Sequence, residues 1–132
     1  MVINCIPEVF LIHSYLRKQA IEDGYLIDVT EKAKESGFKV PVCISLNLHE
    51  RYVTPPSGLE GEGQSYDGRL HDVFEICKAA VYERLDENRV IFNVFFLMKT
   101  KPRTLEDVEI VSVIGPDDDG KPCLTLMLPE DD

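Results

Sequence analysis

The chain is short of basic residues, of long apolar runs and of clustered cysteine, and each shortage closes off a class of activity. Lys and Arg number 14 against 24 Asp and Glu, for a net charge of −10. Such a surface repels phosphate, whereas a general nucleic-acid binder needs the opposite sign over most of one face. No apolar run approaches the ~20 residues that a bilayer-spanning helix requires. The opening "MVINCIPEVFLIHSY" has no basic leading region, and Asn4, Pro7 and Glu8 interrupt its apolar run. It does not read as a signal peptide. The four cysteines, Cys5, Cys43, Cys77 and Cys123, are far apart and sit among apolar residues. Without a C-x-x-C pair, a zinc cage or redox motif has no support. Buried free thiols in a reducing cytoplasm are expected.

The familiar catalytic and ligand motifs are missing too. "HE" at 49–50 and "HD" at 71–72 are lone dipeptides, with nothing like H-E-x-x-H. "DDDG" (Asp117 to Gly120) suggests a calcium loop, but the frame puts Gly115 at position one and Leu126 at position twelve, where acids are needed. It reads as a hairpin turn. "GLEGEG" carries Glu60 and Glu62 and no Lys, which suits a loop and not a phosphate cradle. No G-x-S-x-G elbow is present. No metal and no cofactor are expected.

What is present is a run of short elements. Ser14 can cap a helix from Tyr15 to Asp23 that Gly24 stops, followed by a strand at Tyr25 to Val29. Thr30 can cap a second helix that Gly37 stops. Phe38 to Ile44 alternates like a strand, with Pro41 restricting it to a sheet edge. Ser45 to Val53 is ambiguous, with a helix capped by Ser45 preferred. Residues 54–68, rich in Pro and Gly, read as a long loop. Arg69 to Leu85 is the clearest helix, with Leu70, Val73, Phe74, Cys77, Ala80, Val81 and Leu85 on one face. Val90 to Met98 is nearly all apolar and reads as a central strand covered on both faces. Val108 to Ile114 alternates, and Cys123 to Leu128 forms a last strand before an acidic tail at 129–132. The expected fold is α+β in a single domain, 1–132: a C-terminal three-stranded antiparallel meander on a long helix, with short N-terminal helices and one or two short strands.

Charge is uneven. Residues 76–103 hold six basic against three acidic side chains, and residues 104–132 hold one lysine against nine carboxylates. Lys99, Lys101 and Arg103 precede a turn that Glu106, Asp107 and Glu109 follow, so cross-strand pairing is the simple expectation. A nucleic-acid adaptor role would need those three cations free on one plane. Polar residues crowd the stretch Ile12 to Thr30, but Lys18 and Glu22 make an ordinary surface pair, as do His71 and Glu75 further on. His13 and Asp28 are left without a local duty, and they are the candidate catalytic residues. Tyr15, Arg17, Asp67, Arg69 and Asp72 are candidates for holding a polar ligand.

Four stretches, "IHSYLRKQAIEDGYLIDVT", "ESGFKVPVCIS", "DGRLHDVFEICKAA" and "GPDDDGKPCLTLMLPEDD", resemble a family of short bacterial proteins classed as a domain of unknown function. Members turn up on plasmids, phages and other mobile DNA. They often carry tryptophan near the third and fourth helices, where this Trp-free chain has Leu48 or His49 and His71. The resemblance implies a mobile-element setting and a helix after Pro41-Val42, and no activity.

Two expectations follow. One is a non-enzymatic, acidic, cytoplasmic accessory of a mobile element that binds a host or element protein, as an inhibitor in its sharper version. It is expected to bind neither nucleic acid nor membrane. The other is a small enzyme or polar-ligand-binding domain with a pocket around His13 and the 54–69 loop. There His13 would move a proton near neutrality.

Overall fold

The computed structural model describes residues 16–59 and 61–132. Helix α1 (Arg17–Glu22) has Leu16 at its cap, with no side-chain bond from that residue. Its first N–H groups, on Arg17 and Lys18, donate instead to the Asp118 carboxylate at 2.8 and 3.0 Å. The cap assigned to Ser14 falls outside the described residues. Gly24 and Gly37 both have left-handed backbone (φ 83° and 95°), as a helix stop needs.

Strand β1 (Leu26–Asp28) leads into helix α2 (Thr30–Glu35). The cap position is Val29, not Thr30, and makes no side-chain bond; the residue before it, Asp28, holds the first helical residue instead. Its carboxylate accepts the Thr30 N–H at 3.0 Å and the Thr30 hydroxyl at 2.6 Å. Strand β2 (Val42–Ser45) starts just after Pro41, shorter than the alternation suggests. Because Pro41 lies outside it, β2 sits inside the sheet and not at an edge. Ser45 does cap a helix: its Oγ accepts the Leu48 N–H at 3.2 Å. That helix, α3 (Leu46–Leu48), widens at once into a π-turn, His49–Val53.

The long helix, α4 (Tyr66–Tyr82), starts three residues earlier than its apolar periodicity predicts. Ser65 caps it by accepting the Gly68 N–H at 3.0 Å. A Cβ on Gly68 would lie 2.9 Å from that Oγ, so the glycine lets the cap close. Leu85 falls beyond the helix and is exposed. Strands β3 (Arg89–Thr100), β4 (Arg103–Pro116) and β5 (Pro122–Met127) follow.

The sheet has five strands in the order β1-β2-β5-β4-β3, so the two short N-terminal strands join the same sheet as the three C-terminal ones. β2 runs parallel to β5, and the other neighbours are antiparallel. The mixture of one sheet and flanking helices is α+β. One face carries the main core: Val42 and Ile44, Leu124 and Leu126, Val108 and Ile110, and Phe92, Val94 and Phe96 pack against Leu70, Val73, Phe74 and Cys77 of α4 and Ala33 of α2. A smaller cluster on the other face joins Ala20 of α1 to Leu26 and Cys43.

β3 is an outer strand, not a central one. Its even residues Val90 to Phe96 are buried, while Ile91, Asn93 and Phe95 are exposed. A nearly continuous apolar run therefore hides a one-sided strand. The acidic end is folded back in a 3-10 turn, Pro129–Asp131. Asp131 accepts bonds from Ser45 Oγ at 2.8 Å and Asn47 Nδ2 at 2.7 Å, Glu130 pairs with Arg51, and Asp132 pairs with Arg89. No helix of the described residues is long and apolar enough to cross a membrane.

Candidate functional site

Two places bring chemistry-bearing side chains together. The first is an open cleft of about 320 Å³ between the end of β1, the start of α2 and the first turn of α4. Ile27, Val29 and Leu70 make its apolar floor, and Asp28, Lys32, Tyr66 and Asp67 its polar rim. Lys32 Nζ lies 3.1 Å from the Asp67 carboxylate, which raises the ammonium pKa above its ordinary value. The Tyr66 hydroxyl lies 2.9 Å from His49 Nδ1, with the rings edge-on. Burial, and then the Asp67 charge, push the Tyr66 phenol up. The rim can bind one small polar or cationic group. No Ser or Cys is among the residues that line it.

The sequence candidates divide around this cleft. Asp28 and Asp67 both line it, although 39 positions separate them. Asp28 already accepts the N–H and hydroxyl of Thr30, the first residue of α2, which supplies the local duty that its strand position lacked. Asp72 lies exposed on α4. Arg17 is elsewhere, donating to Thr125 Oγ1 at 2.7 Å and the Leu124 carbonyl at 3.0 Å. Arg69 is only 3% exposed. It donates Nε to Gln64 Oε1 at 3.0 Å, one terminal nitrogen to the Tyr52 carbonyl at 2.7 Å, and the other to the Leu97 carbonyl. Its plane lies over Phe96, which stacks on Tyr52. Burial lowers the Arg69 pKa. Both guanidinium groups are committed to acceptors of the chain itself, so neither is placed to hold a ligand in this cleft. His13 and Tyr15 lie outside the described residues. Sequence spacing does not single out Lys32, Tyr66 or His49; the i,i+3 spacing of Lys32 and Glu35 points only to a surface pair.

The second place is the outer face of the β3–β4 hairpin. The register sets Ile91 opposite Val111, Asn93 opposite Glu109, Phe95 opposite Asp107 and Leu97 opposite Leu105, so these side chains share a face. Phe95 is 65% exposed and Leu105 is 54% exposed. Asp107 and Glu109 flank them, both exposed. The cross-strand pairing expected of Lys99, Lys101 and Arg103 with the β4 acids does not form: Lys99 faces Thr104, and Arg103 reaches Glu62 at 3.7 Å. The bulge between Leu97 and Lys99 shifts the cations out of step with those acids. The one sequence signal for this surface is Asn93, a polar residue at an odd position inside the apolar run.

Other candidate chemical groups are occupied or sealed. His71 Nδ1 lies 3.4 Å from Ser36 Oγ, and Glu75 pairs with Lys78 instead of His71. Cys43, Cys77 and Cys123 are buried and free. Burial pushes the Cys43 and Cys77 thiols each up to about 11, so neither is a ready nucleophile. Among the described residues no group of three His, Cys, Asp or Glu side chains is placed to hold a metal ion.

No curated protein and no solved structure matches this chain. A family model does, over residues 4–132, and the chain belongs to the family described as "Family of unknown function (DUF6573)".

Proposed function

We propose that the chain is a non-enzymatic acidic interaction protein, an accessory of a mobile element. It engages a host or element protein through the outer face of the β3–β4 hairpin. One observation carries the reading: Phe95 and Leu105 stand exposed as diagonal neighbours within a rim of Asp107 and Glu109. An exposed aromatic beside an exposed Leu suits an interface centre, and the carboxylates suit a basic rim on the partner. With a net charge of −10, attraction to a basic surface speeds encounter and makes it salt-sensitive. An inhibitor that occupies a cationic, nucleic-acid-binding groove is the form this chemistry favours.

The test is capture from a bacterial host lysate with the wild-type chain and with D107K/E109K, both shown folded by circular dichroism. A basic protein retained by wild type at low salt, and released at high salt or by the charge reversal, is the expected result. Retention of nothing at low salt, or of the same proteins by the variant, overturns the reading.

The cleft carries a second reading, a polar-ligand-binding domain, because Asp28 and Asp67 converge there with Lys32 and Tyr66. Chemical-shift changes at Tyr66 and Lys32 on titration with small amines, absent in Asp67→Asn, would support it. A flat response across amines of different length would end it.

A further inference from the structure

β3 has an open outer edge. Its neighbour on one side is β4, and no strand of the described residues lies on the other. Backbone direction alternates along a strand, so one observation fixes which groups face outward. The Asn88 carbonyl accepts the Ile114 N–H, which turns the even residues toward β4. The N–H and C=O groups of Ile91, Asn93 and Phe95 therefore point away from the sheet. The next outward carbonyl, at Leu97, is taken by Arg69.

Natural edges are blunted by proline, inward charges or bulges. Between Arg89 and Lys99 this strand carries no proline and no charge, and its bulge comes only after Leu97. Apolar side chains gather on both sides of the edge. Below it are Ile91, 37% exposed, and Phe95. Above it is Ile76, 38% exposed. Ile76 is seven residues from Arg69, hence on the same side of α4, and Arg69 reaches over to the Leu97 carbonyl.

We propose that a second copy of this chain pairs with the first along β3, edge to edge and antiparallel, with Asn93 on the two-fold axis. This register uses every outward group of Ile91, Asn93 and Phe95 in both copies, and its ladder ends before Leu97, whose carbonyl Arg69 holds. It sets Ile91 against Phe95 of the second copy, a β-branched–aromatic pair that sheets favour. From Val90 to Met98 the edge carries no charge, so two copies of this acidic chain meet along the paired residues without like charges opposed. The two Ile76 side chains meet above the seam. The product is a ten-stranded sheet with a closed, isologous interface, the commonest form of soluble homodimer. This pairing follows from backbone geometry and is independent of the proposed function.

Sedimentation equilibrium of the full chain tests it, with two variants. Asn93→Pro removes an outward N–H that β4 does not use, so the sheet keeps its ladder. Asn93→Lys keeps the backbone and places two like charges opposite each other on the axis. The expected result is twice the 15.0 kDa chain mass for wild type. Both variants should weaken dimerisation by about tenfold or more with unchanged circular dichroism. A wild-type monomer at concentrations up to about 100 µM overturns the proposal, and so does a dimer that both variants leave intact. A wild-type monomer that captures another protein also overturns it, whichever variant releases that protein.

Discussion

Arg69 ties together parts of the chain that are distant in sequence. A guanidinium has its donors in a rigid fork, and here the fork joins three separate segments: Gln64 in the loop, Tyr52 at the end of the π-turn and Leu97 at the bulge of β3. No carboxylate answers its charge among these contacts; main-chain and amide oxygens do. Removing the donor strips this partner from the buried Leu97 carbonyl and the part-buried Tyr52 carbonyl, which costs more than the bonds return when formed. Arg69→Met is expected to lose about 3 kcal/mol of stability in urea unfolding. Arg69→Lys should recover only a small part, since one ammonium cannot reach three acceptors. Stability within about 0.5 kcal/mol of wild type for Arg69→Met would show that the clamp does not matter. The sequence context, "QSYDGRL", gives Arg69 the look of a ligand residue at a helix start. Its actual partners include Tyr52 and Leu97, which lie 17 and 28 positions away. Contacts at that separation leave no local trace.

At the scale of elements, the caps are partly legible in the sequence and their displacements are informative. Ser45, Gly24 and Gly37 do what their positions suggest, because a cap or a left-handed stop is a local property. The start of α4 is hidden because Gly68 in its first turn makes "SYDG" look like loop, although Ser65 caps there. Asp28 looks idle in a strand because its duty, accepting the first N–H of α2, lies two residues ahead. Ser65→Ala and Asp28→Ala are each expected to cost about 1 kcal/mol. Ser65→Asp should stay close to wild type, since Asp serves equally well at a cap. Chemical denaturation measures the cost. Hydrogen exchange should place it in the first turn of α4 for Ser65→Ala and in α2 for Asp28→Ala. Uniform loss of protection across the sheet would instead mean that the caps are not local. The position of β3 is the least legible feature. Periodicity reports which residues are apolar, and Ile91 and Phe95 are apolar whether buried or exposed. Only the strand order reveals the edge, and strand order is set by pairings such as that of β2 with β5, some 80 residues apart.

The molecule as a whole should be more sensitive to alkali than to moderate acid. Cys43 and Cys77 are sealed on opposite faces of the sheet, one against α1 and the other under α4. Burial raises each thiol from 9.0 to about 11. A raised thiol pKa favours the neutral form in the folded chain. The stability it represents is complete below pH 9 and drains away as pH climbs from 9 toward 11, because the unfolded chain loses its protons first. A tenfold difference in proton affinity between folded and unfolded chain is worth about 1.4 kcal/mol. At pH 10 each thiol therefore costs on the order of 1 kcal/mol relative to pH 8. Cys123, Tyr52 and Tyr66 are also raised and Lys32 is raised by Asp67, so all of these push the same way. In the acid direction Asp117 is held low by the Lys121 N–H, so the β4–β5 turn keeps its bonds until pH falls below the ordinary carboxylate range. Urea midpoints measured from pH 5 to 10 should be flat to pH 8 and then fall. The C43A/C77A double variant starts lower, because two buried side chains are truncated, and its midpoint should then fall less between pH 8 and 10. If the slopes of wild type and double variant coincide, these two thiols do not govern the alkaline limit, and Cys123, the other raised thiol with an ordinary value of 9.0, is the next group to remove.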